Sequence, residues 1–147
     1  MSYNYNDPKI WSSHYWFVLH TIALNYPVNP NNVCKKKYYN FIQTVPLLIP
    51  NENFSNLFTN LLDKFPVTPY LDSRESFIKW VHFVHNKINV FIGKKEITYR
   101  EALEKYYENY IPRNIKIQKD KKHREKYIFF SSIVFLIIVI IFILYNK

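Results

Sequence analysis

Four side chains able to bind a metal or a polar ligand recur on one stretch of the chain. They are His82, His85, Asn86 and Asn89, at the i, i+3, i+4, i+7 spacing of a single helical stripe. Phe77, Trp80, Val81, Val84, Ile88, Phe91 and Ile92 form a broad apolar face beside them, so the stripe borders a packed surface. Upstream, Trp16 and His20 stand four apart and share a face in the same way. Imidazole and indole rings stack, and primary amides hydrogen-bond to ring or ribose edges, so the set suits a planar ligand. A metal is a poorer match: no HExxH run and no neighbouring carboxylate completes a ligand set for His82 and His85. The plainer alternative is a row of helix-edge polar residues in an asparagine-rich chain.

Other chemistries are closed by composition. The single glycine excludes phosphate-cradling loops of the Walker or GxGxxG type. The single cysteine, Cys34, excludes an internal disulfide framework, a cysteine zinc site and an intrachain CxxC couple. At 147 residues the chain holds one small domain, and with 19% aromatic residues it is not disordered.

The elements that must position the stripe are helical, because no segment alternates at period two. Pro, Asn and Gly punctuate the chain. A first helix spans Ile10 to Asn25 and stops at Tyr26-Pro27. A second spans Asn32 to Leu48, kinked or shortened by Pro46, and a third spans Asn51 to Lys64. Asp72 with Glu75 reads as a carboxylate-capped start for the fourth, which runs to Ile92 and ends at Gly93. Thr98-Tyr-Arg-Glu101 is a capping box for a short fifth helix to about Asn109. The architecture expected is an all-α four-helix bundle with a short fifth helix in residues 1–110, then a basic juxtamembrane linker, 111–126, and a transmembrane helix, 127–145.

The last segment follows from charge and hydropathy. Tyr127 to Tyr145 holds nineteen residues without a charge. As a helix it measures about 28 Å, close to the roughly 30 Å of a bilayer's hydrocarbon core. Tyrosines stand at both ends, where amphipathic rings favour the interface. The run 116–126 carries a local +4 of the net +9 and Lys147 one more, leaving +4 on residues 1–115. So mild a charge argues against nucleic acid as a partner. A basic flank before the span keeps the domain in the cytoplasm, and the chain reads as tail-anchored in a viral or host internal membrane, with no signal peptide.

Taken in order, these residues resemble the Erv/ALR family of FAD-linked sulfhydryl oxidases, particularly its small viral members. Trp11-Ser-Ser-His-Tyr-Trp16-Phe-Val-Leu-His20 is similar to that family's first helix, followed by Tyr26-Pro27. His85-Asn86-Lys-Ile-Asn89 resembles its HN-x-(V/I)-N signature, with Gly93-Lys94 and Tyr106, usually tryptophan, completing the pattern. The resemblance implies a dimeric bundle holding FAD in its mouth. Trp16 and His20 would lie near the isoalloxazine, Tyr26 near the flavin–ribityl region, and His82, His85, Asn86 and Asn89 along the adenosine half. Lys94 would face the phosphates and Tyr106 would stand against adenine. Ser12 replaces the family's usual glycine.

The resemblance fails at the reaction centre. The family's third helix opens with Pro-Cys-x-x-Cys, whereas here Pro50 is followed by Asn51 and, three residues on, Phe54. Neither an amide nor a phenyl ring can exchange with a disulfide or reduce a flavin. Cys34, far upstream, reads as a loop or helix-edge thiol. Three functions stay open: a membrane-anchored flavoprotein of this family without oxidase chemistry of its own, working as a homo- or heterodimer or with a redox partner; an active thiol oxidase that uses a partner's thiols in trans; and a structural membrane or virion protein without cofactor.

Overall fold

The computed structural model describes residues 4–146 and contains helices and turns but no strand among them. Its first compact unit, closing at Tyr106, is a bundle of α1 (Pro8–Leu24), α2 (Asn32–Thr44), α3 (Glu52–Lys64), α4 (Arg74–Phe91) and most of α5 (Tyr99–Glu108). α1 packs chiefly on α4. The core between the helices includes Trp80, Phe77, Tyr26, Ile42, Leu71, Val67 and Val84, all essentially without solvent exposure.

Local chemistry sets each boundary. α1 begins earlier than Ile10 because the Asp7 carboxylate accepts the Lys9 N–H at 2.9 Å, with Pro8 fitting a first-turn position that needs no donor. Pro46 ends α2 at Thr44 and the chain continues as a tighter 3₁₀ turn, Val45–Leu48. The Ser55 hydroxyl then donates to the Pro46 carbonyl at 2.8 Å, fastening that turn to α3. α4 is capped by Ser73, whose hydroxyl accepts the Ser76 N–H at 3.2 Å. Asp72 is drawn away from the cap to Lys35, 2.6 Å distant. Gly93 takes φ +74° just past α4, a conformation side chains resist, and lets the Lys94 N–H reach the Asn89 carbonyl at 2.8 Å. The expected capping box opens α5: Glu101 accepts the Thr98 N–H at 2.7 Å and the Thr98 hydroxyl accepts the Glu101 N–H at 3.2 Å.

The second unit contains one long helix, α6 (Arg113–Tyr145). The basic run and the uncharged run therefore share a single unbroken helix. Its apolar side chains are exposed, and it is long and apolar enough to cross a membrane. Ser131 and Ser132 donate their hydroxyls to the Ile128 and Phe129 carbonyls at 2.9 and 2.7 Å, which removes their cost in an apolar setting.

Candidate functional site

α1 and α4 bring Trp16, His20 and His85 together. The Trp16 ring lies face to face on the His85 ring, centroids 4.1 Å apart and 8° from parallel, and near Phe58 of α3 on a second contact, 6.2 Å and 28°. His20 Nε2 and His85 Nδ1 are joined by a hydrogen bond of 3.1 Å. Burial, the largest cause for both, disfavours the charged ring: it lowers His20 to about 4 and His85 to about 3. Neighbouring cationic character adds to this, from His82 on His20, and from His20, His82, Lys94 and Lys105 on His85. At neutral pH the pair is therefore uncharged, with one ring donating and the other accepting.

His82, one turn earlier on α4, meets the edge of Tyr99 at 5.6 Å, and its Nε2 lies 3.3 Å from the Asn86 amide nitrogen. Its Nδ1 is buried without a hydrogen-bond partner, as is the indole nitrogen of Trp11. Asn89 is buried too, and its backbone carbonyl accepts the Lys94 N–H. Buried polar atoms are rarely left without a partner, and an orphaned imidazole nitrogen one turn from the Trp16–His85 stack is what a ligand-accepting surface offers. No ring fits between Trp16 and His85, which already touch, so a planar ligand has to lie against an outer face or edge of that stack.

The remaining candidates divide. Asn86 is a clamp: its amide donates to the Ile97 carbonyl at 2.8 Å and its oxygen accepts the Ile97 N–H at 3.2 Å. Tyr26 sits in the core against Tyr38 and Phe77, its hydroxyl donating to the Leu71 carbonyl at 2.7 Å. Its hydroxyl is pushed up to about 12, chiefly by burial, so it stays protonated. Tyr106 is buried with its ring on Phe17, 5.2 Å and 23°, and its hydroxyl 2.9 Å from the Thr21 hydroxyl. Lys94 is exposed beside Gly93, and Ser12 is half-buried one turn before Trp16 on α1.

At the start of α3, Asn51 is the helix cap, its side-chain oxygen accepting the Phe54 N–H at 3.1 Å. Phe54 packs edge-on against Trp11, 5.7 Å and 73°. Both positions thus have structural work of their own. Cys34 lies half-buried in the first turn of α2, and no group of three or more His, Cys, Asp or Glu able to hold a metal occurs among the described residues. Sequence reasoning passed over Phe58 and Thr21, which complete the stack and the Tyr106 contact. Phe58 is four residues beyond Phe54, a spacing that could have placed it on the same face.

Residues 13–108 match the Erv1 / Alr family, and this chain belongs to that family. A probable FAD-linked sulfhydryl oxidase of Acanthamoeba polyphaga mimivirus is 36% identical over 99 residues, spanning 67% of this chain and 69% of that protein. The FAD-linked sulfhydryl oxidase of African swine fever virus is 30% identical over 115 residues, 74% of this chain and 89% of its own length. The yeast Erv1 core superposes with a TM-score of 0.60 at 23% identity, over 66% of this chain and 80% of that one, which bears on the fold. The FAD binding domain of Saccharomyces cerevisiae Erv1 does so at 0.59 and 24% identity, over 63% and 86%.

Proposed function

We propose that this chain is a membrane-anchored flavoprotein of the Erv1 / Alr family that does not oxidise thiols by itself. The observation that carries the redox half is the start of α3, where Asn51 and Phe54 are committed to capping and packing while Cys34 is the chain's single thiol. Making a disulfide within one chain consumes two thiols, and one cysteine reaches only a mixed disulfide with another molecule. Family membership, the names of the viral relatives and the orphaned His82 Nδ1 beside the α1–α4 cluster support FAD as cofactor. The residues fit it: Trp16 offers an aromatic face, His82 Nδ1 an unused buried hydrogen-bonding atom, and Lys94 an exposed ammonium for phosphate. Bound FAD would supply two-electron acceptor chemistry, which requires a thiol donor from a partner protein here. The neutral His20–His85 pair keeps that part of the cluster uncharged.

Anchoring is supported by α6, and its basic flank favours the side bearing the bundle as cytoplasmic. A dimer with a second bundle, of this or a related chain, is supported by an apolar cleft of about 340 Å³ along α1 and α2, lined by His14, Tyr15, Val18, Leu19, Phe41, Val45 and Leu48.

The test is the visible spectrum of the full chain purified in mild detergent, followed by oxygen consumption with a small dithiol. A bound-flavin absorbance with no turnover above that of free FAD is the expected result. Absent flavin sinks the cofactor half and leaves the cofactor-free structural protein, a reading favoured by the engagement of Tyr26, Asn86 and Tyr106 within the protein itself. Sustained turnover sinks the redox half.

A further inference from the structure

Because the basic and apolar runs share one helix, Arg113–Tyr145, the height of each cation above the apolar run is fixed. At about 1.5 Å per residue, Lys126, Arg124, Lys122 and Lys121 lie within about 9 Å of the level of Tyr127. Lys119, Lys116 and Arg113 lie about 12 to 21 Å from it by the same measure. Charges are screened over roughly 8–10 Å at physiological ionic strength, so the run divides into a near set and a far set. The two sets also differ around the helix. At about 100° per residue the near four fall in two pairs, Lys122 with Lys126 and Lys121 with Arg124, on roughly opposite sides of the helix, a collar of two halves, while the far three follow one row that slants by about 60° per step. Among the described residues, Lys121 alone of the near four has a carboxylate partner, Glu125 at 3.9 Å, with both side chains largely exposed. The Lys126 ammonium lies 6.0 Å from the centroid of Phe130, at the seam between the basic and apolar runs.

We infer that this collar binds the headgroups of anionic phospholipid, of the phosphatidylserine type, in the leaflet that α6 enters, and that Lys119, Lys116 and Arg113 take no part. The inference rests on the membrane reading above. Arg124 presents the planar fork that suits a phosphodiester, and the lysines act as mobile point charges around it. Phosphate groups sit just outside the hydrocarbon, at the height of the near set, and a surface potential decays before it reaches the far set.

The experiment uses the full chain reconstituted in phosphatidylcholine bilayers with a trace of photoactivatable phosphatidylserine or photoactivatable phosphatidylcholine, and reads the crosslinking yield of each. A severalfold preference for phosphatidylserine is expected. It should be lost when Lys121, Lys122, Arg124 and Lys126 are all changed to Gln, and kept when Arg113, Lys116 and Lys119 are. Equal yields from the two lipids, or the same loss in both variants, overturn the collar. Competition by millimolar soluble glycerophosphoserine also overturns it, since that points to a discrete headgroup pocket. Flotation of the same vesicles separates the two levels of failure. A chain that does not float takes the membrane reading down with the collar; a chain that floats without lipid preference takes down the collar alone.

Discussion

The hydrogen bond between His20 and His85 needs one ring to donate and the other to accept, and a proton added to both would set two donors face to face. Burial enforces the neutral state, holding His20 at about 4 and His85 at about 3, whereas the unfolded chain protonates both near 6.5. Between pH 6.5 and 4 the unfolded state therefore binds more protons than the folded one. Stability falls as pH drops through that window, by up to about 1.4 kcal/mol per pH unit for each histidine. Urea midpoints taken from pH 7 to 4.5 should show this slope, and His85→Gln should reduce it, with His20 and His82, both lowered by burial, supplying the remainder; an unchanged slope would place the acid sensitivity elsewhere. Asn51 gives a second residue-scale test. Replacing it by alanine removes the cap of α3 and should cost about 1 kcal/mol, while Asn51→Asp should cost little because a carboxylate caps as well and suits the helix N-terminus. The spacing of His82, His85, Asn86 and Asn89 announced a shared stripe, and the structure confirms that they share a helix face. It could not announce the division of labour within it. Whether Asn86 meets a ligand or the Ile97 backbone depends on where the chain returns after Gly93, which is a tertiary fact.

At the scale of elements, α4 is the strut and Asn86 the device that ties the following segment to it. Asn86→Ala leaves the Ile97 N–H and carbonyl without their partners, in a half-buried position, at a cost of about 2 kcal/mol. Amide exchange at Ile97 and through the first turn of α5 should accelerate, with α3 unaffected; a uniform acceleration would mean a global loss of stability and no local clamp. Helix identity was legible because proline, Gly93 and the Thr98–Glu101 box are local signals whose physics acts within a few residues. Boundaries were less so. Asp72 looks like the cap of α4 from its spacing to Glu75, yet Lys35, distant in sequence, claims it and the cap passes to Ser73. Asp7 and Pro8 extend α1 by a chain-local rule that the apolar pattern, starting at Ile10, obscured. Pro46 was read correctly as an interruption, but only packing against α3 decides that the chain stays wound as a 3₁₀ turn.

For the whole molecule, composition alone separates the bundle from the last helix: residues 10–34 also lack Asp, Glu, Lys and Arg but are broken by His, Asn and Pro, whereas residues 127–145 are apolar but for two serines and the terminal tyrosines. What the sequence left open was the join. A basic run can be a flexible linker or a helical extension, and the continuity of α6 is decided by the absence of proline or glycine after Pro112. The energetic margin of the span yields a graded prediction. Each Leu, Ile, Phe or Val near its centre favours insertion by about 0.3–0.6 kcal/mol, so the run from Ile128 to Leu144 accumulates several kcal/mol, while one central arginine costs about 3. Leu136→Arg alone should therefore leave the chain resistant to alkaline carbonate extraction. Adding Ile133→Arg and Ile140→Arg, both within a turn or so of the centre and on the same side of the helix, should release it to the supernatant. Release by the single substitution would mean that the segment has no such surplus and that α6 holds to the membrane only through its surface, whereas retention of the triple variant would mean that something other than this apolar run retains the chain.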